Sequence, residues 1–129
     1  MSTYEAGNYI SLPAGAAIGT AFIVVHSSGG SATITTTSTT QPIGIAQGTV
    51  AAGDPVLIQI SGKGKLSSST ALTDGQQIAA TTGGQGVSIT LDAAGTVYNY
   101  AVGRVMTASG AANGLAEVFI YPGGQSFLV

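Results

Sequence analysis

The chain has no cysteine and no tryptophan, a single histidine, three basic residues and five acidic ones. Without cysteine there is no disulfide framework and no thiolate metal site, which suits a protein made in a reducing cytoplasm. One histidine is too few for a zinc site of three or four ligands. Charged residues make up 6% of the chain, against about 25% in an ordinary soluble domain. Three cations leave no electrostatic footprint for nucleic acid. The same scarcity leaves little for an enzyme active site, and little to keep a lone monomer dispersed. Much of the surface is therefore expected to be covered by other copies of the chain or by a larger partner. Long apolar runs are missing too. The longest mostly apolar stretch, residues 16–25, is about half of a membrane span. Met1 opens a polar segment without the basic region and apolar core of a secretory signal. No cofactor, metal or membrane partner is expected.

What is present is small. Ala, Gly, Thr and Ser exceed half of the residues, with 20 glycines. Glycine-rich turns and abundant Thr and Val suggest many short strands. Hydrophobic residues are 44% of the chain and the formal charge is −2, a balance that favours folding over disorder. No window sustains a helical apolar period, so almost no helix is expected. The predicted fold is all-β: a small antiparallel β-barrel or sandwich of about eight short strands. Residues 1–12 are expected to form an N-terminal arm that orders only against a neighbour, residues 13–122 a single β domain, and residues 123–129 an apolar tail.

Within the domain, Phe22-Ile23-Val24-Val25 is a continuous apolar run, as expected of a strand covered on both faces. Ser27-Ser28-Gly29-Gly30 signals a turn and residues 32–37 a return strand. Ile43 and Ile45 share one face of the next strand, and Val56, Ile58 and Ile60 share a face of the one after. Residues 61–65, Ser-Gly-Lys-Gly-Lys, read as a turn. Residues 76–80 and the Val87, Ile89, Leu91 alternation follow, separated by Thr82-Gly83-Gly84. Residues 97–107 are the longest strand candidate, with Gly103 marking a bulge. Leu115 to Tyr121 is the last strand, stopped by Pro122-Gly123-Gly124.

There is an internal echo. Ile43-Gly44-Ile45-Ala46, a loop, Gly53-Asp54 and Val56-Leu57-Ile58-Gln59-Ile60 are followed later by Val102-Gly103-Arg104-Val105, Asn113-Gly114 and Ala116-Glu117-Val118-Phe119-Ile120. Ordinary hairpin grammar and a true duplication explain it equally well.

Three features combine in one pattern: Ala14-Gly15 with Gly19-Thr20-Ala21; Ile43-Gly44-Ile45-Ala46 leading to Ala51-Ala52-Gly53-Asp54-Pro55-Val56, with Gly62 after that strand; and Val102-Gly103-Arg104-Val105 leading to Val118-Phe119-Ile120. From Gly19 through Tyr121 the chain resembles the small capsid decoration, or cement, proteins of tailed phages. The likeness is greatest to a group long known as a domain of unknown function in phage head modules. The chain departs from that pattern in carrying less charge, and in placing Ser28-Gly29-Gly30-Ser31 where an Asp-Gly-lysine style turn is usual. The resemblance implies a β-barrel-like protein that trimerises and binds the outside of an assembled shell, clamping neighbouring major capsid protein subunits. It leaves the contact residues unassigned.

Individual residues carry little chemistry. His26 has no second histidine or cysteine to work with and reads as structural or interfacial. Asp54, Asp74 and Asp92 each sit in a turn context, where the carboxylate bonds nearby backbone N–H groups. Lys63 and Lys65 lack the spacing of a phosphate cradle. They read as a solvated hairpin tip or edge-strand lysines, or as a charge contact to a capsid subunit. Arg104 is expected to pair with Glu117 across the sheet. Apolar residues at the two ends, Tyr4, Tyr9, Ile10 and Leu12, and Phe127, Leu128 and Val129, are candidates for contacts with a neighbour.

The expected function is that of a structural protein on the outer capsid surface of the virion, not an enzyme. The alternative is a receptor- or glycan-binding module of a phage spike or fibre, for which a Ser/Thr/Gly-rich surface with exposed tyrosines is suitable. No aromatic cluster with adjacent carboxylates stands out to favour it.

Overall fold

A computed structural model describes residues 8–89, 99–107, 111 and 113–126. Among them the chain forms strands β1 (Asn8–Pro13), β2 (Ile23–Ser28), β3 (Ser31–Ile34), β4 (Gly44–Ala46), β5 (Pro55–Ser67), β6 (Gln77–Ala80), β7 (Gly86–Ser88), β8 (Asn99–Thr107) and β9 (Leu115–Ser126). A single 3-10 turn lies at Thr82–Gly84. The all-β expectation holds: the strands make one curled antiparallel sheet in the order β3-β2-β4-β5-β9-β8-β6-β7, with β1 added to β5.

Three local expectations are corrected. Residues 61–65 are not a turn but the middle of β5. Gly62, at φ 93°, bends the strand. The buried Gln59 side chain donates to the Ser61 and Lys63 carbonyls at 3.1 and 2.9 Å, so the bent backbone keeps its partners. Pro122-Gly123-Gly124 does not stop β9, which continues to Ser126 opposite Asn99 of β8. The segment expected as a free arm enters the sheet at Asn8, and β1 pairs with β5 of its own chain from Asn8↔Ser61 to Pro13↔Pro55. The expected bulge is present, as a register shift between Ala101 and Gly103.

The internal echo is a structural duplication. The order β3-β2-β4-β5 is repeated as β7-β6-β8-β9. Strand β1 lies on the first half of β5 as the second half of β5 lies on β9: Leu12↔Val56 and Pro13↔Pro55 correspond to Leu66↔Ala116 and Ser67↔Leu115. Each repeat curls until one parallel bridge joins its first and third strands, Ala14↔Ala32 in one and Ser68↔Gly86 in the other. Bonds outside the ladders match as well. Phe22 N–H to Ala46 C=O corresponds to Gly75 N–H to Val105 C=O, and Gly53 N–H to Ala14 C=O corresponds to Asn113 N–H to Ser68 C=O. Left-handed residues recur at Gly29-Gly30 and Gly83-Gly84, at Phe22 and Gly75, and at Gly53 and Asn113. Strand β5 therefore closes the first repeat and opens the second.

One pair of glycines shows why the echo persists. A Cβ on Gly44 would collide with the Gln59 carbonyl oxygen, and a Cβ on Gly103 would collide with that of Phe119. Gln59 and Phe119 are corresponding residues, one step along from Ile58 and Val118. The same close strand approach is built twice.

The repeats pack unequally. The first core contains Ile18, Ile23, Val25, Val56 and Ile58, flanked by Leu12, Ile34 and Ile60. The second contains Leu66, Ile78, Val102, Val118 and Ile120, and it also takes in Val24 and Ile45 from the outer face of the first repeat. This is why Ile23-Val24-Val25 is apolar without alternation: both sides of β2 are covered. Each such side chain contributes roughly 1.5–3 kcal/mol on full burial. The residues corresponding to Val24 and Ile45 in the second repeat are Gln77 and Arg104, which lie at the surface.

Gly44→Ala and Gly103→Ala are each expected to lower stability by about 1–3 kcal/mol in urea unfolding, because neither backbone neighbour can yield. Gly48, with nothing within 4 Å, is the control; its alanine variant should stay within about 0.5 kcal/mol. Equal losses at Gly44 and Gly48 would contradict the close-approach account.

Candidate interaction surface

The second half of β5, β9 and β8 lie side by side and present one face to solvent. In β9, Val118 and Ile120 turn inward and are buried, so Leu115, Glu117 and Phe119 turn outward. Lys65 lies opposite Glu117, while Lys63 and Arg104 lie opposite Phe119 from its two sides. Directly opposed residues share a face. The topology thus gathers on one surface all three cations of the chain, although Arg104 is distant from the lysines in sequence.

Large apolar side chains stand among these charges. Phe119 and Met106 are each 49% exposed and Leu115 is 48% exposed. The Phe119 and Tyr121 rings pack at 5.9 Å between centroids, tilted by 43°, a favourable aromatic geometry. Lys63 Nζ lies 3.5 Å from Glu117 Oε1, and the Thr107 hydroxyl donates to the same oxygen at 3.1 Å. The expected Arg104–Glu117 pair is not formed. Arg104 lies opposite Phe119, two residues from Glu117, and the register shift after Val105 sets Thr107 rather than Met106 against Glu117. Arg104 Nη1 donates instead to the Gly75 carbonyl at 2.8 Å.

The other candidates lie elsewhere. Tyr9 and Ile10 are exposed on opposite sides of β1, against Gln59 and Ile58 of β5. Leu12 is half-buried and packs on the first core. Tyr4, Phe127, Leu128 and Val129 lie outside the described residues, as does Asp92. His26 is half-buried with Nδ1 3.0 Å from the Thr35 hydroxyl. Asp54 and Asp74 sit beside left-handed Gly53 and Gly75 in turns. Among the described residues no three His, Cys, Asp or Glu side chains group as metal ligands. A groove of about 360 Å³ between residues 36–38 and the β6–β7 hairpin presents Thr36, Thr37, Ser38, Thr81 and Ser88, and none of its lining residues is ionisable.

Phe119 and Met106 were not singled out as surface contacts from the sequence, and for Arg104 the sequence favours a pairing within the sheet over a partner contact. The alternation of Phe119 against Val118 and Ile120 is the signal that marks it as outward. No protein-family model matches the chain, and no curated protein matches it.

Phe119→Ser is expected to change folding stability by less than about 1 kcal/mol, since an exposed cross-strand pair contributes no more than that. Ile120→Ala, one residue on and 1% exposed, should cost about 2–5 kcal/mol. Thermal and urea unfolding of the two variants check the assignment of faces.

Proposed function

We propose that the protein is a non-enzymatic decoration, or cement, protein of a tailed-phage capsid. It binds the outer surface of the mature head as a trimer and stabilises contacts between neighbouring major capsid protein subunits. The reading rests on the resemblance in the sequence, and the observation that supports it best is the exposed face of β5, β9 and β8. Phe119, Met106 and Leu115 are each nearly half exposed, and Phe119 lies among all three cations of the chain. Apolar side chains grouped on a surface mark interaction sites, and aromatic anchors supply much of the energy at them.

The work of such a protein is mechanical. Each copy caps a junction in the shell, buries surface from several subunits and raises the cost of local rupture under internal DNA pressure. A repeating lattice turns contacts of modest strength into high occupancy when each trimer engages several sites at once. Few ionisable groups are needed for this, and a β scaffold with two cores resists deformation.

Purified protein is expected to sediment as a trimer and to bind mature heads prepared without it. Binding only to unexpanded shells, or to no shell at all, would overturn the reading. A glycan-array signal without head binding would favour the spike or fibre alternative.

A further inference from the structure

We infer that the outward face of β5, β9 and β8 is the side that meets the partner, and that the partner presents an acidic protein surface there. The inference rests on the decoration reading and adds to it the orientation of this protein and the chemistry of the shell patch beneath it.

The charge distribution carries the argument. Lys63, Lys65 and Arg104 stand around Phe119 on this face, and Met106, two residues along β8 from Arg104 at the register shift, is exposed as well. Glu117 lies among them, and Asp74 lies at the margin next to Gly75, whose carbonyl holds Arg104. Cations exceed carboxylates here. The remaining charges of the chain are Glu5, Asp54 and Asp92, all acidic. Among the described residues the positive charge is therefore confined to this face, and the one charge off it, Asp54, is negative. An acidic surface attracts that face, so the charges favour docking through it.

The duplication makes the position itself informative. In the first repeat three residues of the corresponding outer face, Val24, Ile45 and Gln59, are at most 1% exposed, while Leu57 and Tyr9 on the same face stay 51% and 47% exposed; Val24 and Ile45 pack into the second core. That face is a docking position already used once within the chain. In the second repeat it carries Gln77, Arg104 and Phe119. Permanent interfaces are apolar, whereas separable ones keep charges around a few large anchors.

Other occupants fit less well. A second copy docked in the manner of the second repeat would bury Arg104 with its bond to the Gly75 carbonyl and no ion pair at salt-bridge distance among the described residues, which is costly. Two such faces brought together would oppose cation excess with cation excess. Nucleic acid binding draws its affinity from many phosphate contacts, and three cations with a carboxylate among them supply few.

The test measures binding to mature heads prepared without the protein, across a salt series, with circular dichroism and sedimentation on every variant. Wild type is expected to bind more weakly as salt rises. Lys63→Glu, Lys65→Glu and Arg104→Glu combined should lower head affinity by tenfold or more, roughly, and flatten the salt dependence. Phe119→Ser should weaken binding roughly tenfold while keeping the salt slope. Asp54→Lys, on a turn of the first repeat, should change neither downward. If the triple variant misfolds, Lys65→Gln and Arg104→Gln singly should show the same loss of slope. A folded triple variant that binds heads like wild type overturns this inference and leaves the decoration reading standing. One that loses its trimer overturns it in favour of a contact between copies. Wild type that binds a short DNA duplex as tightly as heads overturns it in favour of nucleic acid. Wild type that does not bind heads overturns the decoration reading, and this inference with it.

Discussion

Strand β5 belongs to both repeats, and the rest of the structure depends on its remaining hydrogen-bonded through the bend at Gly62. Before the bend it pairs with β1 and β4; after it, with β9. A strand that bends and changes partners leaves carbonyls without ladder bonds, and a buried carbonyl left unpaired is expensive. Gln59 removes that cost by donating to two of them from a side chain that is itself buried. Gly64 leaves room for it, since a Cβ there would collide with the Gln59 amide oxygen. One glutamine and two glycines let one strand serve two barrel-like units.

The two units share a backbone plan but not a surface. Where the first repeat places Val24 and Ile45 against its neighbour, the second places Gln77 and Arg104 toward solvent. Repeat architectures commonly end on a polar face, because the last unit has no successor to cover it. Here the terminal face is polar but also carries Phe119 and Met106, so it is more than a solubilising cap. Phe22 shows the converse adaptation. It holds a left-handed conformation, φ 63°, that its counterpart meets with Gly75, at a cost of order 1 kcal/mol or more. Its ring packs on the second core, and its carbonyl accepts the Ser67 N–H at 2.8 Å.

The strand class, most strand positions and the candidate hairpins were legible in the sequence, because β-branched alternation and glycine pairs are local signals. Ser61 to Lys65 was not. Two glycines and two lysines look like a turn until Gln59 is seen bridging them, and that bridge is a tertiary fact. The duplication was legible only where both copies keep the same side-chain types, at Gly44 and Gly103 or at Ile58 and Val118. Elsewhere it is carried by backbone geometry that different residues satisfy, as at Gly53 and Asn113. The face joining Arg104 to the lysines was illegible, since it needs the β5–β9–β8 order, and strand neighbours distant in sequence leave no local trace. The Arg104–Glu117 expectation failed for a related reason: Arg104 pairs with Phe119, two residues from Glu117 along β9, and pairing register is not written in either strand alone.

The sharing of Val24 and Ile45 with the second core has a consequence for synthesis on the ribosome. The amino-terminal unit emerges first, and until residues 61 onward have followed, those two side chains have nothing to cover them. A newborn chain this poor in charge then displays a sticky strip with little repulsion to shield it. Burial of that strip waits on the carboxy-terminal unit, whose core Val24 and Ile45 join.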